Sequence, residues 1–144
     1  MKSQFTKIAK IRKQKRDTIE RDLVKSQNKE KMLSHKIMTL YTQIVELKTP
    51  QEGAISLLSL LAEHKRILNR DKKQCENELE VVRKETALLR SAYQKAHIEY
   101  EKIHYLEEQE LQALIEKMKK EEQLFLDEVS TQLFAHQIQK KAGQ

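Results

Sequence analysis

From Ile19 to Leu47 the chain repeats at alternating steps of four and three: Ile19, Leu23, Ser26, Glu30, Leu33, Ile37, Leu40, Ile44 and Leu47, apolar except at Ser26 and Glu30. That seven-residue period is a coiled-coil seam on a long helix. Upstream the register passes through Phe5 and Ala9 and lands on Arg12 and Arg16, so the first turns are a poor partner for another apolar stripe. A second seam runs through Ala54, Leu58, Leu61, Lys65, Leu68, Lys72, Cys75, Leu79, Val82, Thr86, Leu89, Tyr93, Ala96, Tyr100 and Ile103. Beyond Ile103 the apolar register slips and resumes as Leu111, Leu114, Met118 and Phe125, the mark of a stutter.

Between the seams stands Thr49-Pro50-Gln51-Glu52-Gly53. Thr49 precedes proline and is pushed out of the helical region, which suits an N-cap. Pro50 then takes the first helical position and Glu52 completes a capping box. Two long helices joined at this break predict an all-α fold, a long antiparallel two-helix coiled coil, with the whole chain forming one domain.

Two antiparallel geometries fit the pattern. A single turn at 49–53 sets Phe5 level with about residue 96. Alternatively 49–64 holds the bend and a short helix, with long helices over about 3–48 and 65–138 and a frayed 139–144. Helix one then lies against roughly 87–135. The second geometry is preferred because of charge. Residues 2–16 carry Lys2, Lys7, Lys10, Arg12, Lys13, Lys15 and Arg16 with no acid, whereas 107–128 is dominated by Glu and Asp. Opposite charges flanking a seam favour that alignment.

Composition narrows the class. In 144 residues, 35% are charged and 5% aromatic, with two Gly, one Pro and a net charge of +6, too few turn formers for an α/β domain of this size. The longest apolar stretch, Ala54–Ala62, contains Ser56 and Ser59 and is far short of the ~20 residues a membrane span needs. A single cysteine, Cys75, fits a reducing cytoplasm, and its seam position favours a small buried residue over a nucleophile. The lone glycines exclude a phosphate-cradling loop. Glu101 and His104 have the Glu-x-x-His spacing of di-iron bundles, but no second copy accompanies them. No catalytic, cofactor or metal site is expected.

Two features remain for binding. One is the basic N-terminal run, which lacks the interleaved aromatics of a nucleic-acid surface, so no specific nucleic acid is expected. The other is apolar surface beside the seams: Met38, Tyr41 and Val45 before the break, and Leu57, Leu60 and Ile67 after it. These groups either pack on each other at the bend or form a docking surface.

Length, the helix–break–helix layout and the stretch Glu116-Lys-Met-Lys-Lys-Glu-Glu-Gln-Leu-Phe-Leu-Asp127-Glu128-Val129 resemble the FliJ family, coiled-coil components of the flagellar protein-export apparatus related to YscO-type injectisome proteins. The resemblance implies a non-enzymatic, central-stalk-like regulator of a hexameric export ATPase that also contacts the membrane export gate protein and handles export chaperones. It implies a cytoplasmic location, peripheral to the inner membrane through those partners. It assigns Lys10, Arg12, Lys13 and Arg16 to the ATPase-facing pole, and Met38, Tyr41, Val45, Leu60 and Leu68 to a gate-facing surface near the bend. A generic structural scaffold and a non-specific nucleic-acid binder are the competing readings.

Overall fold

A computed structural model describes residues 3–47 and 53–143. They form two α-helices, α1 (Thr6–Glu46) and α2 (Ile55–Ala142), and no strand. Both helices are filled with Glu, Lys, Leu, Gln and Ala, which lose little rotamer freedom in a helix. The threonines, poorer helix formers, are accommodated by back-bonding. Thr18, Thr39, Thr42, Thr86 and Thr131 each donate a hydroxyl to the carbonyl four residues earlier, at 2.9–3.0 Å. At its C-terminal end α1 tightens, with the Leu47 amide donating to the Ile44 carbonyl at 3.3 Å. The carbonyl of Ala54 opens α2 by accepting from Leu57 and Leu58 at 3.0 and 3.3 Å. The Thr49–Pro50 break and its capping box lie outside the described residues.

Contacts divide the chain into two units, Gln14–His97 and Met1–Lys13 with Ile98–Gln144. In the first, α1 and α2 run antiparallel around a seam one residue deep. Ser26 meets Thr86, and Leu33 packs with Leu79 and Val82, with Ile37 against that cluster. Each step toward the end of α1 is therefore matched by a step toward the start of α2. Leu23, Leu68, Cys75 and Ala96 are buried in the same seam. Two helices cannot enclose a core on every side, and no large side chain among the described residues is completely buried. Stability rests on a line of contacts rather than on a centre.

In the other unit the seam is short and polar. Ala9 is buried, Ile103 half-buried, and the Arg12 guanidinium meets Glu99 at 2.6 Å. At the start of α1, Ser3 is buried and donates its hydroxyl to Glu110 Oε2 at 2.7 Å, while its Oγ accepts the Phe5 amide at 3.1 Å. The Gln4 amide points at Glu110 Oε1 at 3.4 Å. The first turn of α1 contains no acidic residue, so α2 supplies the negative charge that the helix N-terminus favours.

The expected all-α antiparallel pairing is present, and three details differ. First, among the described residues no short helix stands apart from α2; residues 55–64 are the opening turns of an uninterrupted α2. Neither Gly nor Pro stands between Ile55 and Lys65 to break it, and Ser56 and Ser59 cost too little to do so. Second, α1 lies against α2 from about Lys65 to Glu110 rather than over 87–135. The register sets Ser3 at Glu110, and from Ile115 onward α2 is exposed except at half-buried Val129. Charge matching between the basic N-terminus and the acidic stretch does not set the alignment, because exposed ion pairs contribute at most about 1 kcal/mol each and are outweighed by seam packing. Third, half-burial continues in step through Ile103, Glu107, Glu110 and Leu114. The apolar pattern slips there but the packing does not.

Candidate partner-docking surfaces

The helical register decides what is left over for partners. In α1, Met38, Tyr41 and Val45 fall beside the seam on the flank that also carries Ala62, Asn69 and Glu76 of α2, because like-flank positions face each other in an antiparallel pair. All three are exposed, Met38 at 64% and Val45 at 62%. Across the seam the Lys72 ammonium lies 5.3 Å from the Tyr41 ring centroid, close enough to hold the ring by cation–π attraction. Lys72 also pairs with Glu76 at 3.6 Å. An apolar strip with a positioned aromatic and a charged rim results.

The second apolar group does not join it. Leu57, Leu60 and Ile67 occupy the opposite flank by the same register, and all three are exposed. Stepping the register from Ser26–Thr86 brings Leu47 level with Lys65. Residues 55–64 thus project beyond the described end of α1, which explains why Ile55, Leu57, Leu58 and Leu60 find nothing to cover them. On this projection Arg66 and Glu63 pair at 2.6 Å, and the Arg66 hydrogen bond holds the Glu63 carboxyl below its ordinary value. Leu68 differs in kind: it is 8% exposed and belongs to the seam. Of the five gate-facing candidates, the structure therefore groups Met38, Tyr41 and Val45, sets Leu60 apart, and places Leu68 inside.

The basic candidates also divide. Lys10 and Lys13 are exposed, while Arg12 sits at a seam position with its guanidinium on Glu99. Arg16 belongs to the other unit, half-buried, with Nη1 3.4 Å from His97 Nδ1 and Nη2 3.2 Å from Asp17. His97 in turn stacks on Tyr93, ring centroids 5.9 Å apart. Both arginines are thus engaged within the chain, while Lys10 and Lys13, like Lys7 and Lys15, are exposed.

Among the described residues no group of three or more His, Cys, Asp or Glu that could hold a metal ion is gathered, at Glu101 and His104 or elsewhere. His104 stacks on Tyr100 at 5.4 Å and bonds Glu108 at 3.0 Å. Glu110 and the Ser26–Thr86 pair carry local structure that sequence reasoning missed. Ser26 and Thr86 were visible as the polar exceptions in their seams, but nothing in the sequence paired them.

Two helices share a thin antiparallel seam and leave apolar stripes outside it, which defines a small all-α coiled-coil protein with side chains to spare for other surfaces. The family model described as flagellar FliJ protein matches residues 1–139, and the chain belongs to that family. Membership makes it a component of the flagellar type III protein-export apparatus. No curated protein and no solved structure matches the chain. No helix among the described residues is long and apolar enough to cross a membrane.

Proposed function

We propose that the chain acts as a central-stalk-like regulator of the hexameric export ATPase, links that ATPase to the membrane export gate, and assists in handling export chaperones. In this reading it works on the cytoplasmic side, peripheral to the inner membrane through its partners. Family membership supports the setting. The observation that carries the docking role is the exposed strip of Met38, Tyr41 and Val45, with Tyr41 held beneath Lys72. A solitary coiled coil has no need of a second apolar stripe, and large exposed apolar positions in a row mark interaction sites. Leu60, on the projecting turns of α2, adds a separate contact, and Leu68 supports the strip from within the seam.

The chain's own seam also argues against a parallel self-assembling scaffold. The apolar positions such an assembly would need are already used between α1 and α2. Lys10, Arg12, Lys13 and Arg16 are the ATPase-facing residues of this proposal.

The test uses the purified cognate ATPase and the cytoplasmic part of the gate. Adding the chain should raise ATPase turnover. Replacing Met38, Tyr41 and Val45 with Ala should abolish gate binding while helicity and ATPase stimulation persist. Unchanged turnover with no complex would sink the stalk role, and retained gate binding by the triple variant would sink the docking strip.

A further inference from the structure

Seven-residue repeats have a built-in ambiguity: sliding one helix by a heptad, about 10 Å, returns apolar positions to apolar positions. Something must choose among registers. One heptad register available to this sequence sets Leu47 level with Leu58 and Ile44 level with Leu61. That register would cover apolar side chains near the bend which are now exposed. The structure instead sits one heptad away, with Leu47 level with Lys65 and the first turns of α2 left projecting.

The two registers treat the middle of the seam differently. In the observed one Ser26 and Thr86, both buried, meet with their hydroxyl oxygens 2.6 Å apart. Thr86 spends its proton on the Val82 carbonyl at 2.9 Å, so Ser26 donates and Thr86 accepts. One heptad toward the turn, Ser26 would face Leu79 and Thr86 would face Ile19. The interhelical bond would be lost between two residues that are buried in the observed register. The lysines do not distinguish the registers, because Lys65 and Lys72 oppose leucines in both. The hydroxyl layer does, inside the seam, as do the Arg12–Glu99 and Ser3–Glu110 contacts at the start of α1.

We propose that the Ser26–Thr86 layer is a register lock: it holds the hairpin one heptad from the alignment that would cover Leu58, and releasing it lets α1 slide along α2. A slide would move Met38, Tyr41 and Val45 past α2 and take Tyr41 away from Lys72, whichever partner uses that strip. A single polar layer setting alignment in an otherwise apolar coil has the same physical basis as a buried asparagine that fixes coiled-coil register.

The single cysteine makes the register readable. Cys75 is buried one layer toward the bend from Leu79, level with Ile37, one layer from Leu33. In the register that sets Leu47 level with Leu58 it would lie level with Glu30, and one heptad the other way with Ile44. Full-length chains carrying Ile37→Cys, Glu30→Cys or Ile44→Cys are oxidised, and the intramolecular disulfide is measured in each. With Ser26 and Thr86 intact, only Ile37→Cys should cross-link efficiently. In the Ser26→Ala, Thr86→Val background, Glu30→Cys cross-linking should rise roughly tenfold, as expected from loss of one net hydrogen bond. Exchanging the pair (Ser26→Thr with Thr86→Ser) keeps two hydroxyls and should restore the Ile37-only pattern. Exclusive Ile37 cross-linking in the Ala/Val background would overturn the lock, and so would slippage in the exchanged chain. Failure of Ile37→Cys to cross-link in the parent would overturn the register itself.

Discussion

Removing the Glu110 carboxylate should loosen the start of α1 from a distance of more than a hundred residues in sequence. Glu110 accepts the hydroxyl of buried Ser3 at 2.7 Å and lies 3.4 Å from the Gln4 amide, while Ser3 itself accepts the Phe5 amide. A hydrogen bond to a charged group contributes about 1.5–3 kcal/mol, and Glu110's partial exposure puts it at the low end. A negative charge at a helix N-terminus adds about 0.3–1 kcal/mol. Glu110→Ala should therefore weaken the first turn by about 2 kcal/mol, and Glu110→Gln, which keeps an acceptor, by about half that. Amide hydrogen exchange is the assay, because the loss is local. Amides of residues 5–9 should exchange roughly thirtyfold faster in the Ala variant, while those of the Leu33–Leu79 region stay unchanged. Ser3→Ala should reproduce much of the effect, and the double variant should fall short of additivity. Unchanged exchange at residues 5–9, or strict additivity of the two substitutions, would refute the cap.

Two further outcomes follow from the seam and its margins. Leu79→Ala removes a buried member of the core cluster and should cost about 2–3 kcal/mol, the low end of buried leucine truncations because the site borders solvent; Leu60→Ala, on the projecting turns, should stay within about 0.5 kcal/mol, both read by chemical denaturation. Ending the chain at Lys119 should reduce the helical circular-dichroism signal, while the unfolding midpoint of the Gln14–His97 seam should move by no more than a few degrees.

The seam positions were readable from the sequence because burial follows the period. Leu23, Ser26 and Leu33 of α1, and Leu68, Cys75, Leu79, Val82, Thr86 and Ala96 of α2, are buried as their spacing predicted. Register was not readable, since a heptad pattern matches itself after every seventh residue. The charge asymmetry of the two ends looked like a guide to alignment and was a poor one; a hydroxyl pair and a carboxylate at a helix start decide more locally. Cross-helix partners such as Ser3 with Glu110 leave no mark in local sequence. The exposed strip was visible as Met38, Tyr41 and Val45, but whether Leu57 and Leu60 covered it depended on which flank they occupied, and that required the pairing.

Helix α2 has 88 residues and α1 has 41, so a long stretch of α2 stands without a mate. Such a stretch never bears the cost of starting a helix, because the paired portion has already nucleated it, and each added residue needs only to hold its own. Its outer boundary is consequently an equilibrium frontier, advancing and receding by a turn at small cost, set by temperature and by whatever grips it. A receptor that clasps the Phe125 and Phe134 region would therefore gain stiffness in the shaft along with its contacts, turning a soft tip into a lever.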